Sequence, residues 1–378
     1  EVEETRREII LAIGGESEEG YDPTLGWGRY GAPLFQSTLL RRDADLNIVN
    51  DLAEEYSVSD DGLTWTVTVR QDAFFTDGEQ LTAEDVAYTF NKAAESGGLT
   101  DVTVLDEAVA TDDFTVELRL EEAQSTFINR LITLGVVPAH AHGDGYAQNP
   151  IGSGPYTLVQ WDQGQQLIVE RNPDYYGDAP DLERLVFLFL DEDAAFAAGQ
   201  AGEAAVVSVP QSLAIQEIEG MRLVDVDSVD NRGLLFPFVA DTGETTADGY
   251  PIGNSVTADP AMRQAINYAI DREALVAGVL EGYGSPAYGP VSYLPWEQPE
   301  AAIADADMAL AQQILADAGW ADSDGDGVLE KDGLTAEFTI LYPASDSIRQ
   351  ALALTTADML RPLGIQPNVE GKSWDEIT

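Results

Sequence analysis

Residues 63–90 read LTWTVTVRQDAFFTDGEQLTAEDVAYTF, and their reading decides what kind of fold surrounds them. Leu63–Arg70 alternates apolar and polar residues, as a strand covered on one face does. Asp77–Gly78 supplies a turn. Thr82 followed three positions later by Asp85 is a near capping box, with Asp in place of the usual Glu, so a helix is expected to open at Thr82. Strand, turn and capped helix in one short stretch predict mixed α/β structure.

Working outward, Ile9–Ile13 reads as a short buried strand, and Gly14–Asp22 as a polar, glycine-bearing loop leading into YDPTLGWGRYGAPLFQSTLL. The spacing of Leu34, Phe35, Leu39 and Leu40 predicts a helix whose preceding loop presents Trp27, Arg29 and Tyr30. Downstream, residues 114–120 form another alternating strand and Ser125–Leu134 a short helix. NPIGSGPYTLVQW and QQLIVERNPDYYG then predict an antiparallel pair. Leu185–Leu190 (LVFLFL) is continuously apolar, the pattern of a strand buried on both faces. A helix is predicted over Asp193–Gly199. From Asp259, DPAMRQAINYAIDREALVAGVL reads as helical, with Pro in its first turn. A helix over Asp307–Ala318, a strand over Ala336–Tyr342, a helix over Ser347–Leu360 and a strand around Gln366–Glu370 follow.

Composition narrows the function. The chain has 378 residues, beyond the size at which one hydrophobic core stops growing, so two or more lobes are expected. Its 68 acidic and 19 basic side chains give a net charge of −49, spread along the sequence. That excludes nucleic acid as a partner, because phosphate binding needs a basic footprint. A carboxylate-covered surface suits a salty or otherwise acid-adapted setting, where ions screen self-repulsion. The absence of cysteine removes disulfides, thiolate metal sites and cysteine nucleophiles. No run of 18 or more apolar residues occurs, and EVEETRRE at residues 1–8 carries no apolar signal region. The expectation is a mature or trimmed soluble form, with any secretion signal or lipid anchor upstream.

The order of the segments is more specific than any one of them. LTWTVTVRQDAFFTDGEQLTAEDVAYTF, VPAHAHG leading to NPIGSGPYTLVQW, ERNPDYYGDAPDLERLVF, DPAMRQAINYAIDREALV and ADAGWADSDGDGVLEKDG span roughly residue 20 to residue 374. Together they resemble the extracytoplasmic solute-binding proteins of peptide and nickel ABC importers. The resemblance implies an α/β, two-lobe clamp of the type II periplasmic-binding-protein kind with an additional β-rich domain. Lobe I would comprise residues 1–42 and 151–235, the inserted domain 43–150, and lobe II residues 236–378. Members of the family usually run on for well over a hundred further residues, so lobe II is expected to be incomplete at Thr378.

In such a clamp a solute is held between lobes by aromatic and apolar walls with a few polar groups. Lobe I offers Trp27, Arg29, Tyr30 and Gly31, ahead of a helix whose first-turn N–H groups would accept an anion. The crossing segment offers Phe236 and Phe238. Lobe II offers Tyr283, Gly284, Tyr288 and Trp296, and Trp374 matches a position near the cleft in the family. Against each stands ordinary core packing, the commoner fate of an aromatic.

His140 and His142 are the chain's two histidines, and alternate imidazoles can hold nickel, although family members that carry peptides also have a histidine after this proline. Asp322, Asp324 and Asp326 make the first half of a calcium loop, but position twelve is Gly333 instead of glutamate, which favours a solvated turn. IGSGPY lacks the residue that a G-x-S-x-G elbow needs before its second glycine. The reading is therefore of a binder, not an enzyme. It would deliver an oligopeptide or dipeptide to the importer's permease, with nickel or a nickel chelate as the alternative solute. It is expected to act as a monomer on the outer side of the membrane, periplasmic or anchored, with no required cofactor. A secreted hydrolase is the alternative from another class.

Overall fold

The computed structural model describes the chain except residues 1–6, 18–19, 32, 227, 229, 247–248, 292–296 and 378. It divides into two compact units, Glu1–Ser208 and Val209–Thr378. This division falls at Ser208, whereas the sequence reading put the crossover at residue 235; Leu234 and Phe236 pack on the core of the second unit.

In the first unit the strands are β1 (Glu8–Ala12), β2 (Leu40–Arg42), β3 (Ile48–Asn50), β4 (Ala53–Val58), β5 (Thr64–Val69), β6 (Leu105–Asp112), β7 (Thr115–Leu120), β8 (Tyr156–Asp162), β9 (Gln166–Arg171), β10 (Arg184–Leu188) and β11 (Val206–Val207). Its helices are α1 (Ala83–Ser96), α2 (Ile128–Thr133) and α3 (Glu192–Ala201). Asp85 accepts the Thr82 backbone N–H at 2.9 Å and the Thr82 hydroxyl at 3.1 Å, so the Asp variant of the box does start α1. Gly97 ends it in the left-handed region.

Two sheets follow from these strands. One is antiparallel, in the order β4-β5-β7-β6, with Val67, Val69, Val116 and Leu118 fully buried in one core with Val86 and Phe90 of α1. The other runs β11-β1-β10-β9-β8, with β1 parallel to β10 and β11, and β9 antiparallel to β10 and β8. Apolar groups cover both of its faces. Leu185 and Phe187 of β10 join Tyr21, Phe35 and Val169, whereas Leu188 packs with the alanines of α3. That two-sided cover explains the unbroken apolar run.

Residues 34–40 are not helical. The segment is irregular and almost wholly buried, and its backbone bonds run to distant partners. The Phe35 carbonyl accepts from Gly154, that of Ser37 from Val136, that of Thr38 from Leu52, and that of Leu39 from Asp51 and Ala53. Leu34 sits at φ +62°, which an ordinary helix forbids. Apolar residues occur here because neighbours cover the segment on several sides, and helical periodicity is not their cause.

The second unit contains α4 (Gln211–Ala214), α5 (Pro260–Ala269), α6 (Arg272–Gly278), α7 (Met308–Asp317), α8 (Ser347–Leu360), α9 (Trp374–Ile377) and strands β12 (Glu330–Lys331), β13 (Leu334–Thr335), β14 (Glu337–Pro343) and β15 (Gln366–Lys372). β14 and β15 pair in parallel, with α8 between them in sequence. Met262, Ile266, Leu315, Trp320, Ala357 and Leu360 share one core. The predicted continuous helix after Asp259 is broken at Ile270–Asp271, because the Asp271 carboxylate accepts the Ala274 N–H at 2.8 Å and starts a new helix.

Candidate functional site

Ligands of open α/β sheets gather beyond the carboxyl ends of parallel strands. In the first unit, β1 and β10 end side by side in this way, and a pocket of about 160 Å³ lies there. Gly14, at φ +106°, turns the chain out of β1, so Ile13, Gly14 and Gly15 form one wall. Phe187 and Phe189 form another, and Tyr21, Trp27 and Leu34 close it from the loop that follows.

Tyr21 is the centre of this wall. Its ring meets Trp27 edge-on at 4.8 Å, Phe35 at 5.2 Å and Trp161 at 4.9 Å, and it is almost fully buried. Its hydroxyl is buried without a hydrogen-bond partner. Burial, with the Glu16 charge second, raises its pKa well above that of an ordinary phenol, so it stays a neutral donor. Glu16 itself accepts from the Trp161 indole at 2.5 Å and from the Gly164 N–H at 2.8 Å, which fixes the back of the site. A second, wider and more polar depression of about 480 Å³ lies on β8, where Gln148, Asn149, Gln160 and Gln163 surround Trp161.

The residues that sequence reading singled out take separate places. Trp27 lines the pocket, half-buried, with its indole N–H on the Pro33 carbonyl at 2.6 Å. No helix follows the loop, so the expected anion-accepting N-terminus is absent there. Arg29 lies over the ring of Tyr30 at 4.8 Å, and Tyr30 is 89% exposed; Gly31 faces open space at φ +103°. In the second unit, Phe236 packs edge-on against Phe338, the core alternative, whereas Phe238 is exposed. Tyr288 donates to Asp305 at 3.2 Å beside Arg272. Tyr283 is half-buried and Gly284 exposed, and Trp374 lies 5.4 Å from the Arg349 guanidinium. Trp296 lies outside the described residues. Sequence reading missed Tyr21, Phe187 and Phe189. The run LVFLFL and the glycine-bearing loop after β1 were the available signals.

The histidines do not converge on one ligand set. His140 Nε2 meets Asp77 at 2.8 Å, while His142 bonds Asp22 and Tyr88, each at 2.9 Å. Asp322, Asp324 and Asp326 do converge, and Glu330, not position twelve, brings a fourth carboxylate, all within 4.8 Å. Each of the four already accepts backbone N–H groups, from Gly325 and Gly327, Asp326, Val328 and Ser323 respectively. Ser153 of the glycine motif is fully buried, beyond reach of a substrate.

Aromatic and apolar walls with one neutral hydroxyl are the make-up of a small-solute site, and the class that such a site fits is that of a binding protein. The chain belongs to the bacterial extracellular solute-binding proteins of family 5, whose middle region matches residues 47–378. It is 33% identical over 394 residues to Protein XP55 of Streptomyces lividans, covering 99% of this chain and 68% of that one. NikZ from Campylobacter jejuni in complex with Ni(L-His) superposes with a TM-score of 0.85 at 26% identity, over 98% of this chain and 74% of NikZ. The oligopeptide-binding protein AppA from Bacillus subtilis, in complex with a nonapeptide, gives a TM-score of 0.79 at 27% identity, over 98% and 75%. The α/β two-lobe binding-protein fold expected from the sequence is the fold of this family. The chain spans about two thirds of its curated relatives, 68% of XP55 and 65% of AppA. Among the described residues no helix is long and apolar enough to cross a membrane.

Proposed function

We propose that this protein captures an oligopeptide outside the cytoplasmic membrane and passes it, as a monomer, to the permease of an ABC importer. The observation that carries the reading is the pocket at the carboxyl ends of β1 and β10, walled by Tyr21, Trp27, Phe187 and Phe189. Its volume suits one compact apolar side chain of a longer ligand, and small-solute sites combine such walls with few polar groups. The nonapeptide held by AppA supports the solute class. The reading is of binding rather than hydrolysis, and the burial of Ser153 in the glycine motif supports it.

Nickel carried as a small chelate is the second reading, favoured by the Ni(L-His) held by NikZ. Thermal shift and calorimetry on the full-length protein separate the two. Nonapeptides with apolar side chains should raise the melting temperature in proportion to the logarithm of their concentration, about 2.7 kcal/mol of stabilisation at a hundredfold excess over Kd. Ni(II)–L-histidine should leave it unmoved. A shift with the nickel complex alone reverses the assignment, and turnover of ester or glycoside substrates without any shift would sink both.

A further inference from the structure

A buried pair, Asp22 and His142, stands behind the pocket wall. Asp22 follows Tyr21 and, through its backbone and side chain, organises the turn that leads to Trp27. Its carbonyl accepts the N–H groups of Leu25 and Trp27, both at 3.1 Å. Its Oδ1 accepts the Thr24 N–H and hydroxyl, each at 2.8 Å, which leaves Oδ2 for a single partner, His142 Nε2 at 2.9 Å. The two side chains are only 8% and 6% exposed, so water cannot replace that partner. His142 is itself anchored, its Nδ1 on the Tyr88 hydroxyl of α1 at 2.9 Å and its ring edge-on to Tyr146 at 4.8 Å. The geometry fits a ring that donates from Nε2 to the carboxylate and accepts at Nδ1 from Tyr88.

We infer that His142 is a positioning residue for the solute pocket: through Asp22 it fixes the turn carrying Tyr21 and Trp27 to α1. The inference rests on the reading of that pocket as the solute site. It gives the second histidine of VPAHAHG a role distinct from metal binding. It also explains why Asp22 is held ionised. Burial alone would raise its pKa, but the bonds from His142 and Thr24 outweigh this and lower it.

Hydrogen exchange by mass spectrometry on the full-length protein tests it, with H142A, H142Q and H142N beside the wild type. Loss of a bond to a buried charge should speed exchange across residues 21–31 in H142A about tenfold or more, with α1 protected as before. A Gln side chain presents its amide N–H near the place of Nε2 and should restore protection, whereas Asn, which mimics Nδ1, should not. A nonapeptide with apolar side chains should bind H142A about tenfold more weakly and H142Q nearly as the wild type does. If H142A fails to fold, the contrast between H142Q and H142N decides. Wild-type exchange of residues 21–31 in H142A or H142N overturns the inference, as does equal loosening of the whole unit in H142Q and H142N. A loosened turn with unchanged peptide affinity overturns the pocket reading instead.

Discussion

Asp259 and Lys331 form an ion pair of 2.8 Å in the second unit, and the same carboxylate begins α5. Asp259 Oδ1 accepts the Ala261 N–H, and Oδ2 accepts both Lys331 Nζ and the Trp320 indole N–H at 2.9 Å. One side chain therefore joins a helix start to the acidic-loop hairpin and to a buried tryptophan.

Replacing Asp259 with Ala should cost about 2–4 kcal/mol, combining a lost cap with lost bonds to a charged group. Urea unfolding would measure it, and a loss below about 1 kcal/mol would contradict the assignment. The pH dependence has a definite sign. Burial raises the Asp259 pKa, but the bonds from Lys331 and Trp320 outweigh it and hold the carboxyl below its ordinary value. A depressed folded pKa stabilises the ionised protein above the unfolded value, and this contribution disappears as pH falls through the folded one. The stability difference between wild type and D259N should therefore shrink on acidification below the ordinary carboxylate range.

The glycine motif yields a paired prediction. A Cβ on Gly152 would stand 2.0 Å from the Phe35 carbonyl oxygen, and one on Gly154 would stand 2.6 Å from that of Leu34. Both obstacles are backbone, so G152A and G154A should each destabilise the first unit by about 3 kcal/mol or more, through overpacking that cannot relax. Ser153 between them is different: its hydroxyl is buried without a partner, and Ser37 bonds its carbonyl. S153A removes only the unsatisfied group and should be neutral or stabilising by up to about 1 kcal/mol. Melting curves of the three variants suffice, and a destabilised S153A would show that the hydroxyl has work to do.

How much of this was legible in the sequence depends on how local each cause is. The capped helix at Thr82, the alternating Leu63–Arg70 strand and the two-faced LVFLFL run rest on neighbouring residues, and the sequence pattern carries them. Residues 34–40 defeated the same reasoning, because their shape is set by backbone bonds to residues 51–53, 136 and 154. The pocket was half legible. Trp27 stood out as a loop aromatic, but Tyr21 gains its place from Phe35, Trp161 and the end of β10, which no local pattern announces. Phe236 and Tyr288 were candidates for a solute wall with core packing as the alternative, and only the distant partners Phe338 and Asp305, which no local pattern announces, place them.

Tyr288 leads to a third prediction, because its partner Asp305 belongs to a partly buried ion pair. Arg272 Nη1 lies 2.5 Å from Asp305 Oδ1, its Nε donates to the Ala287 carbonyl at 3.0 Å, and the two side chains are 16% and 14% exposed. The guanidinium thus ties the 282–289 loop to the start of α6. Removing one member of this partly buried pair leaves the other charge without its partner, so R272A should cost about 1–3 kcal/mol. R272K should recover only part of it, since an ammonium cannot reproduce the fork. Y288F should leave the melting temperature nearly unchanged and solute affinity intact, because the hydroxyl serves Asp305. A marked loss of affinity in Y288F with unchanged melting would return this residue to the solute site.

The last prediction concerns the surface. A net charge of −49 on 378 residues sets carboxylates against each other over the whole chain. Several of the basic groups that could offset them are committed to local pairs, as Arg70 is to Asp72, Arg119 to Glu117 and Glu107, and Arg184 to Glu8 and Glu170. Folding compacts this charge, so self-repulsion opposes the native state and salt should relieve it. Screening acts mainly as the Debye length falls from about 10 Å at 0.1 M to about 3 Å at 1 M. The melting temperature should therefore rise steeply with sodium chloride across that range and then flatten. Exclusion of a kosmotropic salt from the surface would instead give a rise that continues at higher concentration and is stronger for sulfate at equal ionic strength. A melting temperature that is flat or falling between 0.1 and 1 M sodium chloride would show that the acidic surface does not destabilise the fold.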